Sequence, residues 1–113
     1  VSGVTATPRS ELTIPAIVVY ELEYGTLKSA MPETRRKALE RGLGAIRQVP
    51  FDSDAARAAA GVRLDLERKG LAIGPLDLLI AGTALSRGAL LVTDNTDGFS
   101  RVSGLRIADW KSE

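Results

Sequence analysis

The sequence contains no cysteine and no histidine. Without thiols there is no disulfide framework, no zinc site of the cysteine type and no cysteine nucleophile. Without imidazole there is no Ser-His-Asp triad, no haem histidine and no imidazole general base. Chemistry on this chain is confined to carboxylates, Lys, Tyr, Ser/Thr or a hard metal ion held by carboxylates. An excess of charge is also missing: 15 Lys+Arg stand against 14 Asp+Glu, a net charge of +1. No global field draws such a chain onto nucleic acid or acidic lipid, so any nucleic-acid contact must rest on a local patch. No apolar run approaches the ~18–20 residues that span a bilayer. The longest, Leu78 to Leu85, is broken by Gly82 and Thr83. Val1 to Thr7 lacks the charged start and apolar core of a signal peptide, and the expected location is the cytoplasm. Internal repeats, low-complexity tracts and a Pro/Gly/Ser-rich linker are absent as well, which leaves one domain.

What is present suits one ordinary globular domain: 113 residues, 44% hydrophobic and 26% charged. A chain of this size buries roughly 60–70% of its unfolded surface and needs no disulfide or structural metal to fold. Val1 to Ser10 is polar and weakly patterned, a loop or poorly ordered linking segment. Leu12-Thr13-Ile14 alternates like a short strand that Pro15 stops. Ala16 to Ser29 predicts a helix. Pro32 and Glu33 open another, with Leu39, Leu43 and Ile46 as its buried stripe. Gln48 to Phe51 is a strand candidate, and Asp52 or Ser53 caps a helix running to about Lys69. Its packing face is expected at Ala56, Ala59, Ala60, Leu64 and about Glu67, and Gly70 ends it. Gly74-Pro75 starts a helix over Leu76 to Arg87 that is apolar nearly all round and therefore central, ended by Gly88. Ala89 to Thr93 is the continuous apolar strand of a sheet buried on both faces. Asp94 to Gly98 is a loop, and Leu105 to Ile107 a last strand. Short apolar strands alternating with helices predict an α/β domain with a mostly parallel sheet.

Ligands bind such sheets beyond the carboxyl ends of the strands. The strand ending at Thr93 brings Asp94, Asn95 and Asp97 there, either as caps of an Asx-type turn or as one wall of a magnesium or manganese site. An EF-hand is excluded because Leu105 stands where the closing Glu belongs. Asp77, in the first turn of a very apolar helix, is either a dipole-complementing acid or a carboxylate that needs a partner or a metal. Glu21 has Ile17, Val18, Tyr24 and Gly25 as its helical neighbours, and Glu23 has Val19, Tyr20, Thr26 and Leu27. One of the two faces solvent and the other a pocket. Arg35, Arg36, Lys37 and Arg41 form either a phosphate-gripping run or a solvated helix face. Gly42-Leu43-Gly44 lacks the context of a phosphate loop.

Three blocks, Ile14 to Gly25, Ile73 to Ala81 (IGPLDLLIA) and Leu91 to Phe99 (LVTDNTDGF), together with the closing Gly104 to Trp110, closely resemble the PIN-domain family and, within it, the VapC-type toxin ribonucleases. The resemblance runs from about Leu12 to Trp110. It implies a three-layer α/β domain whose short, mostly parallel sheet is flanked by helices. The activity it implies is that of an endoribonuclease working through carboxylate-held Mg2+ or Mn2+. Position by position, the motif glutamate falls on Glu21, the motif aspartate on Asp77, the motif threonine on Thr93 and the fourth position on Asn95. Asp94 and Asp97 are additional acids that can supply charge Asn95 lacks. Clustered carboxylates repel each other and a phosphodiester unless divalent cations neutralise them, which ties metal binding to substrate binding. The implied partners are an RNA substrate, a cognate antitoxin protein that restrains the site, and a second copy in a homodimer.

The family begins with a strand of the type L-L-D-T-N that lies mid-sheet and carries a principal metal ligand. Nothing in Val1 to Ser10 matches it, and the chain starts with Val1 rather than Met. The domain over residues 1–113 is therefore expected to be N-terminally incomplete, with the first central strand missing, and this chain alone to be weak or inactive as a nuclease. The alternative is a non-catalytic PIN-like interaction module that keeps only antitoxin or dimer binding.

Overall fold

The computed structural model describes residues 13–44 and 46–109. Along them run β1 (Thr13–Pro15), α1 (Ala16–Lys28), α2 (Pro32–Leu43), β2 (Arg47–Val49), α3 (Ser53–Arg68), α4 (Pro75–Arg87), β3 (Leu90–Thr93), the one-turn α5 (Thr96–Phe99) and β4 (Arg106–Asp109). The polar segment expected over residues 1–10 and the closing Trp110 lie outside the described residues. β1 pairs in parallel with β2, and β3 in parallel with β4. The expected parallel pairing holds, but as two separate two-stranded sheets. Between them lies a largely apolar cavity of about 230 Å³, walled on one side by Thr13, Ile14 and Pro15 and on the other by Leu90, Leu91 and Val92.

Helix α4 is the centre of the packing, as its all-round apolarity predicts. Ile80, Ala81, Gly82, Thr83 and Ala84 are all buried, and Ile80, Ala81 and Ala84 form one core with Val62, Leu66, Leu91, Phe99 and Val102. Thr83 is fully buried, and its hydroxyl donates to the Leu79 carbonyl at 2.8 Å, so the polar atom is satisfied inside the helix. α3 crosses α4 with almost no side chain between them. A Cβ built on Gly82 would stand 2.6 Å from Ala59 Cβ and 2.8 Å from the Ala55 carbonyl oxygen.

Element ends follow local chemistry. Pro75 at N1 begins α4, and Gly88, with φ of 60°, closes it in the left-handed conformation that only glycine adopts cheaply. The Asp52 side chain accepts from the Ala55 amide at 3.0 Å and caps α3. Asp52 also accepts from Arg87 at 3.1 Å, tying the start of α3 to the end of α4. The Ala55 amide above all holds the Asp52 carboxyl below its ordinary value of 3.8; burial opposes it, and the Arg87 charge adds to the lowering.

Several sequence expectations shift. The face of α3 toward the core is Ala55, Ala59, Val62 and Leu66, whereas Leu64 is 47% exposed. In an alanine-rich helix the apolar period has little contrast, and the facing helix sets the phase. Ile46 lies beyond α2, and Leu39 and Leu43 are only half-buried. The 94–98 loop contains the start of α5. The second strand starts one residue and ends two residues earlier than expected, leaving Pro50 and Phe51 outside it. The last strand runs on to Asp109, because pairing with all of β3 fixes its extent.

Two stability outcomes follow. Gly82→Ala forces α3 and α4 apart and is expected to cost about 1–3 kcal/mol in a urea melt. Gly61→Ala, with nothing within 4 Å of its new Cβ, gains up to about 1 kcal/mol from helix propensity. A Gly82→Ala variant as stable as the parent contradicts the close crossing. Because the folded-state pKa of Asp52 is depressed, its charge stabilises the fold above the ordinary value of 3.8 and ceases to do so as pH falls through the lower folded pKa. Asp52→Asn, which keeps a cap but drops the charge, should melt below the parent at neutral pH, and the gap should close in acid.

Candidate active site

β3 ends at Thr93 and hands the chain to Asp94 and Asn95. The Asn95 amide donates to Thr93 Oγ1 at 2.9 Å, a local hydroxyl turn that bends the chain away from the sheet. The Asn95 side chain is committed at both ends. Its Oδ1 accepts from the Gly98 amide at 3.2 Å, capping α5, and its Nδ2 donates to Asp77 Oδ2 at 3.1 Å. A Cβ on Gly98 would lie 2.8 Å from Asn95 Nδ2, so a larger residue there must displace the Asn95 side chain.

Asp77 reaches this point from the third position of α4, where it also complements the helix dipole. Both readings of the sequence thus hold for one carboxylate, and one of its oxygens is held by an amide from β3's end. Glu21 enters from α1. It lines the same cavity as Asp77, Thr93, Asp94 and Asn95, a space of about 420 Å³ whose apolar wall includes Val18, Ile80, Leu91 and Phe99. Glu23 is the glutamate that turns away: Arg36 Nη1 donates to its Oε1 at 2.9 Å.

The structure thus brings Glu21, Asp77, Thr93, Asp94 and Asn95 to one cavity. Asp97 lines an adjoining cavity of about 350 Å³, which shares Asp77 and Asn95 with the first. Arg35, Arg36, Lys37 and Arg41 lie on α2 and line neither cavity. The sequence reading passed over Arg101, which does line the second. Its signal was its place two residues beyond the buried Phe99, not membership of a basic run.

For a divalent cation the donors are of the right kind, hard carboxylate oxygens. Their number falls short: among the described residues no three His, Cys, Asp or Glu side chains converge closely enough to hold a metal ion.

A protein-family profile described as PIN domain matches residues 4–105. The tRNA(fMet)-specific endonuclease VapC of Shigella flexneri is 40% identical over 102 residues, covering 90% of this chain and 77% of the relative. The chain belongs to the PIN-domain family, in its VapC-type branch. Ribonuclease VapC2 of Rickettsia felis is 36% identical over 99 residues, covering 88% of this chain and 74% of its own length. Among solved structures, DNA-bound VapBC from Salmonella typhimurium superposes with a TM-score of 0.85 at 39% identity, covering 90% of this chain and 77% of that one. VapBC2 from Rickettsia felis bound to a promoter DNA fragment gives 0.83 at 36% identity, over 88% and 74%. The α/β PIN fold expected from the sequence is therefore the fold of this chain.

In this PIN domain Asn95 joins the two element ends that carry the site. Asn95→Ala removes both the hold on Asp77 and the cap of α5. It should speed hydrogen exchange at the Gly98 amide and cost about 0.5–2 kcal/mol, the scale of a lost cap. Unchanged Gly98 exchange, read by NMR, contradicts the described geometry.

Proposed function

We infer that this chain is the ribonuclease of a toxin–antitoxin pair, hydrolysing RNA phosphodiester bonds at the cavity between α1, α4 and the end of β3. The observation that carries this is the meeting of Asp77 and Glu21 at one cavity, with Asn95 holding Asp77, in a chain whose relatives are VapC ribonucleases. The endonucleases named for tRNA(fMet) make a structured tRNA the first substrate to test. The VapBC complexes among its structural relatives support a cognate antitoxin as its partner, and the resemblance adds a second copy of the chain in a homodimer. No helix among the described residues is long and apolar enough to cross a membrane, and the cytoplasm is the proposed setting.

The residue roles follow from the contacts. Asn95 fixes Asp77 Oδ2 and leaves the other oxygen without a hydrogen-bond partner among the described residues. Thr93 fixes the backbone of Asn95. Glu21 faces the cavity free of any ion pair among the described residues, because Arg36 is engaged with Glu23 and Glu40 instead. Dependence on Mg2+ or Mn2+ is proposed on the donor type alone. Glu21, Asp77 and Asp94 are the cavity's candidate ligands, Asp97 stands at the adjoining rim, and the described residues do not complete a site.

The apolar slot between β1 and β3 bears on that shortfall. We propose that it takes an extended strand parallel to both, as the resemblance implies, and that residues 1–113 alone cleave RNA weakly. The non-catalytic module is not favoured, since the relatives carry ribonuclease names and Asp77 keeps an available oxygen.

Cleavage of tRNA by the parent chain in Mg2+ or Mn2+ is expected to be slow, to stop in EDTA, and to fall at least about 100-fold in Asp77→Asn, the scale of losing a group that acts on the reacting centre. Calorimetry should show Mn2+ uptake by the parent that Asp77→Asn lacks. Equal cleavage by parent and Asp77→Asn overturns the site. Absence of both cleavage and cation uptake overturns the enzyme reading in favour of the interaction module.

A further inference from the structure

Among the described residues, the cavity holding Glu21, Asp77 and Asp94 has no cation in its wall. Every phosphate of an RNA strand carries a negative charge, and a backbone brought to three carboxylates is repelled unless positive groups stand close by. The α2 run does not serve this cavity, and Arg36 is engaged with Glu23 at 2.9 Å. The adjoining cavity shares Asp77 and Asn95 with the first, and among the described residues Arg101 is the one positively charged residue in the wall of either.

Arg101 is rigidly mounted. It lies between Phe99 and Val102, both in the core, and its backbone amide donates to the Gly98 carbonyl at 3.3 Å. Its Nη1 donates to the Ala72 carbonyl at 2.7 Å, on the segment that leads into α4 and Asp77. A neutral donor would suffice to hold that carbonyl. The charge itself is uncompensated: among the described residues no carboxylate lies within ion-pair distance of Arg101, and of the unpaired cations, Arg35, Lys37, Arg41, Arg47, Arg68 and Arg106 included, it is the one that lines a cavity beside Asp77. The rest of the guanidinium has no hydrogen-bond partner among the described residues. An exposed guanidinium with its fork free and its base anchored is pre-organised for a phosphate oxygen pair.

We propose that Arg101 binds a backbone phosphate of the RNA next to the cavity of Asp77, so that the substrate lies across both cavities with Asn95 between them. The inference rests on the ribonuclease reading and adds to it a substrate-binding residue. Arg101 acts on binding and not on the reacting bond, so its readout is affinity, which slow catalysis by this chain does not obscure.

The test is fluorescence anisotropy with labelled single-stranded RNA and the full chain in EDTA, over a range of salt concentrations, with thermal melts alongside. Arg101→Gln keeps a donor for the Ala72 carbonyl and removes the charge. It should weaken binding about tenfold and reduce the slope of log affinity against log salt by about 0.7, the value for one phosphate contact on a single strand, with its melting midpoint unchanged. Arg101→Lys should retain most of the affinity and the slope. Arg101→Gln binding like the parent overturns the inference alone, leaving the nuclease reading in place. So does an Arg101→Lys variant as weak as Arg101→Gln while both melt like the parent. A parent chain that binds no RNA overturns the inference and the nuclease reading together.

Discussion

The crossing of α3 and α4 at Gly82 and Ala59 fixes where everything else in the domain can be. With a Cβ on Gly82 standing 2.6 Å from that of Ala59, the two helices meet at backbone distance, and burial is supplied by Val62, Leu66, Ile80 and Ala84 to either side. Protein interiors are packed densely enough that such a contact has one low-energy seat. From that seat the N-terminus of α4 places Asp77, and its C-terminus, through the left-handed Gly88, aims β3. β3 then returns to the same end of the molecule, where Asn95 donates to Asp77 Oδ2. The site is a closed circuit: helix to strand to turn and back to the first residues of the helix. A shift at Gly82 would therefore be felt at both partners of the Asp77–Asn95 hydrogen bond, although neither touches Gly82.

Electrostatics sort the charged residues into those that can act on a ligand and those already engaged. The ion pairs on α2 and α3 are exposed and contribute little to stability. Their consequence here is selective. Arg36 draws Glu23 away from the cavity and leaves Glu21, two residues earlier, without an ion pair. Asp52 and Arg87 brace the far end of the α3–α4 pair from the site. Among the described residues that line the two cavities, the acids of the first and, at the neighbouring rim, Arg101 carry no ion pair. That is the distribution required of a surface that must bring a polyanion to carboxylates.

Much of this was legible in the sequence because it depends on local rules. Pro75 and Gly88 bracket α4, Asp52 caps α3, and the apolar run of β3 demands burial; each needs only a few neighbouring residues to be read. The three blocks carrying Glu21, Asp77, Thr93 and Asn95 also pointed to one place, and the structure brings those four residues to one cavity. The phase of α3 was not legible, since Ala55, Ala56, Ala59 and Ala60 offer no contrast and only the partner helix chooses among them. Helical spacing alone could not choose between Glu21 and Glu23, a choice that the resemblance made for Glu21 and that in the fold turns on an arginine 13 residues beyond Glu23. Arg101 was hidden for the same reason. Its meaning lies in the Ala72 carbonyl, 29 residues away, and in an ion pair it does not make among the described residues.

The two small sheets explain why the site has the right donors in too small a number. Among the described residues β1 pairs only with β2, and β3 only with β4, so no backbone ladder sets the distance from one sheet to the other. α1 follows directly from β1 and carries Glu21; α4 leads directly to β3 and carries Asp77. Glu21 and Asp77 therefore belong to opposite sides of the apolar slot. The slot and the acidic cavity share Val18, Leu91 and Val92 as walls. Val18 lies three residues before Glu21 on α1, and Val92 immediately precedes Thr93. Packing in the slot and the setting of the carboxylates therefore share side chains. Ile17 and Val18 also pack against the core that holds Ile80, Ala81 and Ala84, so Glu21 is placed relative to Asp77 by the contact of α1 with α4 as well as by the walls of the slot.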